Sequence, residues 1–108
     1  MRRARFLDKP KVIRALSRLA ARLKKNDDDV LKIVLFGSLA TDTYTGISDA
    51  DILIVLKKSN VRFIDRIPKF SLQFADAPLP VDVFPYTESE AVRVPLAQRA
   101  LSEGLLLS

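Results

Sequence analysis

Phe36-Gly37-Ser38 is followed, after a loop of ten residues, by Asp49-Ala50-Asp51 at the mouth of the apolar run Ile52-Leu53-Ile54-Val55-Leu56. A glycine lets the backbone come close to an anion. Two acids at alternate positions of an extended segment project to one face, about 6 to 7 Å apart at the backbone. There Asp49 and Asp51 can share divalent cations. A phosphate cradle opposite a metal site is the equipment of triphosphate chemistry.

Two ions sharing one site lie roughly 3.5 to 4 Å apart, which calls for a bridging carboxylate and usually a third acid from another strand. Asp82 is the candidate. It interrupts Val81-Asp82-Val83-Phe84, where an unpaired buried charge would be costly and a cation would compensate it. Each part also has a plainer explanation. Ser48, Asp49 and Asp51 suit the turn that enters a strand, Asp82 suits the protection of a sheet edge, and Gly37-Ser38 suits an ordinary strand-ending turn. The weight lies in their combination. Asp42 and Asp76 sit in polar or proline-flanked loops and receive no catalytic role.

The elements that must position these residues are legible from periodicity. Val12, Leu16, Leu19 and Leu23, with Ala15 and Ala20, follow helical spacing from Lys11 to Lys25, and Pro10 suits the start of that helix. Val30 to Phe36, bounded by Asp27-Asp28-Asp29 and Gly37, reads as a buried strand, with a turn or short helix opening at Ser38. Ala50 to Leu56 is a second strand. Val61 to Phe74 carries Ile64, Ile67, Phe70 and Phe74 at helical spacing, with Pro68 inside. Leu79 to Phe84 is a third strand, confined by Pro78, Pro80 and Pro85 to an edge, where it can lie beside the second. Val94 to Glu103 is a last helix ended by Gly104. Leu105-Leu106-Leu107 either adds a short strand or lies in a contact between subunits. The expected fold is α/β (α+β), a small mixed sheet with helices packed against it.

Composition narrows the chemistry further. At 108 residues the expectation is one domain, residues 1–108. With no cysteine and no histidine, thiol catalysis, disulfides, histidine acid/base work and ordinary structural zinc sites are excluded. Carboxylates, hydroxyls and cations remain. Met1-Arg2-Arg3-Ala4-Arg5 has the charge of a signal peptide but no continuous apolar core follows it, and no stretch is long enough for a membrane span. A cytoplasmic location and no membrane partner are expected.

At Gly37-Ser38, Asp49-Ala50-Asp51 and Asp82 the chain resembles the nucleotidyltransferase superfamily of the DNA polymerase beta type, and within it the minimal nucleotidyltransferase (MNT) domains, over nearly its whole length. Leu101-Ser102-Glu103-Gly104-Leu105 is similar to the common end of those domains. The resemblance implies that Gly37 and Ser38 hold the β and γ phosphates of a nucleoside triphosphate, and that Asp49, Asp51 and Asp82 bind two Mg²⁺ ions. Asp82 would also help to deprotonate the attacking hydroxyl. It further implies transfer of a nucleoside monophosphate, AMP from ATP, to a hydroxyl of a partner protein. The partner implied is a helical HEPN-type toxin, with this chain as its antitoxin. The chain departs from the family in one respect: Leu39-Ala40-Thr41-Asp42 stands where many MNT domains carry a basic residue just after Gly-Ser. The alternative functions are therefore a catalytically weak or inactive binding module that neutralises such a partner by contact, and a small basic nucleic-acid-binding domain.

Lys11, Arg14, Arg18, Arg22 and Lys25 line one face of the first helix. A solvated helix face explains them first, and a docking surface for an acidic partner or nucleic acid is the competing reading, helped by a net charge of +5. Phe6, Tyr44 and Tyr86 form no evident stacking platform for single strands.

Overall fold

The computed structural model describes residues 8–37, 40 and 49–108. Helix α1 (Lys9–Asn26) starts where Asp8 accepts a hydrogen bond from the Lys11 backbone N–H at 3.2 Å, with Pro10 in its first turn. It buries Val12, Leu16, Ala20 and Leu23, each large apolar side chain contributing about 1.5 to 3 kcal/mol. Strands β1 (Val30–Phe36) and β2 (Ala50–Leu56) have the bounds that their apolar runs indicate and pair antiparallel. Helix α2 (Phe63–Gln73) then carries the chain to β3 (Val81–Thr87), which pairs parallel with β2. A parallel pair needs such a crossover. Short α3 (Glu88–Ala91), α4 (Pro95–Glu103) and two-residue β4 (Leu105–Leu106) complete the described chain.

The sheet has the order β3-β2-β1-β4, so β3 is an edge strand beside the second, and the leucine tail adds a strand to the opposite edge. Helices cover both faces. Ile33, Leu35, Ile52, Ile54 and Val83 pack with the buried stripe of α1, with Phe70 of α2 and with Phe74 just beyond it. Val34, Leu53 and Val55 pack with Ala91, Ala97 and Ala100 of α3 and α4. Alternation along β2 thus sends even-numbered residues to one layer and odd-numbered residues to the other.

The largest differences from expectation are at β3, α2 and α3. Strand β3 starts at Val81 and continues through Pro85 to Thr87, because an edge strand tolerates a residue without an N–H. Helix α2 starts at Phe63 and leaves Ile64 61% exposed, so its buried face is carried by Phe70 together with Arg66, and the helix leads into buried Phe74. Helix α3 was not expected. Thr87 and Glu90 build it as a reciprocal capping box, in which the Thr87 hydroxyl accepts from Glu90 N–H and the Glu90 carboxylate accepts from Thr87 N–H.

Candidate active site

Where β1 ends, Gly37 turns the chain with φ +82°, the left-handed region that other residues enter at a cost. Its neighbour Phe36 is in register with Asp51 of β2. A Cβ built on Gly37 would come within 2.6 Å of Asp51 Oδ2. Conformation and proximity therefore both call for glycine here, and the carboxylate lies against the bare backbone. The Gly37 carbonyl accepts a hydrogen bond from Ala40 N–H at 3.1 Å.

Asp82 enters from the other side. In the parallel β2–β3 pair Asp51 is in register with Asp82, and Ala50 with Val81, so the two carboxylates sit on neighbouring strands about 4.8 Å apart. Both lie on the face that carries Leu53 and Phe84. Asp82 is exposed, not buried, so the expected penalty of a buried charge does not apply to it. What singles Asp82 out is its register with Asp51. Asp49 is exposed and immediately precedes β2.

Burial, followed by the charges of Asp82 and Asp49, pushes the Asp51 carboxyl above its ordinary value. Three carboxylates thus share one field beside Gly37. Among the described residues no three acidic groups are drawn together as a finished metal cage. The donor set is nonetheless all hard oxygen, the kind that Mg²⁺ prefers, and a divalent cation among these groups would offset both their repulsion and the cost of ionising Asp51. Asp51 and Asp82 supply such oxygens side by side, with Asp49 immediately before β2. Ser38, Ser48, Asp42, Tyr44, Phe6 and the loop 41–48 lie outside the described residues, and so does the turn or short helix expected at Ser38. Asp76 is exposed in a turn after α2.

A cavity of about 530 Å³ opens beside Gly37. Phe36 and Gly37 form one wall, and Pro95, Leu96, Arg99, Ala100 and Glu103 of α4 form the other. Apolar walls with a few polar groups and a volume in this range are typical of small-molecule sites. Phe36 also meets Phe84 edge-on, with ring centroids 5.4 Å apart, so the ring beside Asp51 is held from across β2.

Sequence reasoning missed Arg66, which is 6% exposed. Its guanidinium donates to Glu90 Oε1 at 2.7 Å and Oε2 at 3.1 Å, to the Pro85 carbonyl at 2.9 Å and to the Val61 carbonyl at 2.7 Å. These bonds tie α2, β3 and α3 together. The hydrogen bond from Arg66, aided by the Thr87 backbone and opposed by burial, holds the Glu90 carboxyl down at about 2. An arginine four residues before Phe70 of the buried stripe was the available signal. The α1 stripe is solvent-facing: Lys11, Arg14, Arg18, Arg22 and Lys25 are all exposed.

A family model described as nucleotidyltransferase domain matches residues 16–107. Among solved structures, a Sulfolobus solfataricus protein described as a candidate nucleotidyltransferase is 22% identical with a TM-score of 0.69, over 91% of this chain and 80% of that one. A toxin-antitoxin structure with AMP-PNP is 22% identical with a TM-score of 0.54, over 94% of this chain and 73% of that one. Both share the fold. No curated protein matches the chain in sequence.

Proposed function

Because this chain belongs to the nucleotidyltransferase domain family, we propose that it transfers a nucleoside monophosphate, AMP from ATP, to a hydroxyl of a partner protein. The observation that carries the reading is the register of Asp51 with Asp82 beside the left-handed turn at Gly37. Together they offer an acidic face and a close backbone approach at one end of the sheet.

In this reading the bare backbone of Gly37, with Ser38, receives the terminal phosphates. Asp49, Asp51 and Asp82 would hold Mg²⁺, which when bound supplies the positive charge that developing negative charge on the phosphates requires. Asp82, the exposed member at the sheet edge, is open to an incoming hydroxyl and accepts its proton. The hydroxyl oxygen forms its bond to the α phosphorus, the bond from the α phosphorus to the bridging oxygen breaks, and pyrophosphate leaves. Phe36 and Phe84 fix the floor beside Asp51, so that positioning is the chain's main contribution.

The acceptor is proposed to be a helical HEPN-type protein and the pair a toxin-antitoxin system, acting in the cytoplasm, where ATP and Mg²⁺ are available. Support comes from the fold shared with a toxin-antitoxin structure that holds a nucleotide analogue. No described helix is long and apolar enough to cross a membrane. The test is incubation with α-labelled ATP, Mg²⁺ and the product of the adjacent reading frame. Label on that product, lost with Asp51→Asn, is expected. No label, or label that survives the substitution, would count against transfer.

A further inference from the structure

The segments that build the acidic end of the sheet contain no cation. Between Lys32 and Lys57 there is no lysine or arginine, and none between Lys69 and Arg93. Every residue of the turn after β1, of the loop 41–48, of β2 and of β3 is therefore neutral or acidic. Three aspartates and a bound triphosphate would leave several negative charges there, more than two divalent ions neutralise. A further cation has to reach in from another element.

Helix α4 carries a cation beside that end. Arg99 lies on the cavity wall that faces Phe36 and Gly37, and among the described residues lining that cavity it is the one that is basic. It is exposed, and among the described residues it makes no ion pair, even with Glu103 one turn along the same wall. The helix that carries it is fixed. Ala97 and Ala100 are fully buried against the sheet, and a Cβ on Gly104 would strike Val34 and the Leu35 carbonyl, so the end of α4 is seated directly on β1. Arg99 is thus a planar, permanently charged donor held on a rigid element, open to the space beside Gly37.

We infer that Arg99 binds the phosphate chain of the nucleotide held at Gly37, and that the cavity between α4 and β1 is where the nucleotide lies. This rests on the nucleotidyltransferase reading and adds to it a binding residue far from the acidic segments in sequence.

The test is calorimetric titration of ATP, ADP and AMP, each with Mg²⁺, into the wild-type chain and into Arg99→Ala, Arg99→Lys and Arg93→Ala. Arg93 is exposed in the turn before α4 and lies off the cavity wall, so its replacement controls for the loss of one positive charge. Arg99→Ala should weaken ATP binding roughly tenfold or more. The deficit should shrink from ATP to ADP to AMP, Arg99→Lys should recover part of it, and Arg93→Ala should bind as the wild type does. Equal deficits for all three nucleotides, or the same affinity in Arg99→Ala and Arg93→Ala, would overturn the assignment while leaving the nucleotidyltransferase reading intact. A deficit found instead on replacing Arg2, Arg3 and Arg5 would give the role to the N-terminal segment and overturn it too. Failure of the wild-type chain to bind any of the nucleotides would remove both.

Discussion

Asp51 and Asp82 stand side by side on adjacent parallel strands, in register, and the first lies against the bare backbone of Gly37. Like charges brought together at the end of a sheet cost stability unless something offsets them. Sites built for chemistry accept such costs.

Replacing Asp51 by Asn should therefore stabilise the chain when divalent ions are chelated. Burial first, then Asp82 and Asp49, raise the Asp51 carboxyl above its unfolded value. A raised carboxyl favours folding only at low pH, and that contribution is lost as pH rises through the folded value. At neutral pH the ionised group is therefore a cost, and Asp51→Asn should raise the melting temperature. A lower melting temperature in EDTA would show that Asp51 is there for structure.

Gly37→Ala should cost about 1 to 3 kcal/mol, since it combines a φ of +82° with a Cβ driven against Asp51 Oδ2. Nucleotide binding should fall with it. Denaturant unfolding together with ATP titration checks both halves, and an unchanged midpoint would contradict the close approach.

Arg66→Met should be the more damaging change, although it lies away from the acidic face. It takes the guanidinium from the Pro85 carbonyl and from Glu90, which keeps the Thr87 N–H, and breaking a pair buried on the arginine side costs up to about 3 to 5 kcal/mol. A loss below about 1 kcal/mol by urea unfolding would show that the brace is not needed.

Acid should weaken the same brace. The hydrogen bond from Arg66 holds the Glu90 carboxyl at about 2, against an ordinary value of 4.5. A depressed carboxyl contributes stability above its unfolded value and loses it as pH falls through the folded one. The window is thus about pH 4.5 down to 2. Unfolding followed across that window should show a decline that Glu90→Gln makes shallower. Parallel curves would contradict it.

The two central strands were legible because they are fully apolar runs with abrupt ends, Asp27-Asp28-Asp29 and Gly37 around one and Asp49 before the other. The β3 strand was displaced because Pro85 read as its end, whereas an edge position lets a proline continue it. Thr87-Glu88-Ser89-Glu90 carried a capping signal for α3 that adjoining β-branched and aromatic residues obscured. Spacing alone put Asp49 and Asp51 on one face. The register that brings Asp82 beside Asp51 follows from a parallel crossover that periodicity does not encode. For Arg66 the spacing from Phe70 was the one faint signal and for Arg99 there was none, since a lone arginine on a helix reads as solvated until the packing of that helix is known.

The central claim, that these aspartates hold divalent ions beside Gly37, is tested most directly with manganese, a paramagnetic divalent ion that also takes oxygen ligands. Electron paramagnetic resonance would follow free Mn²⁺ titrated with the chain, without nucleotide, in the wild type and in Asp51→Asn and Asp82→Asn. Binding by the wild type, weakened about tenfold or more in each variant, is the predicted result. Equal Mn²⁺ binding by all three would contradict the account.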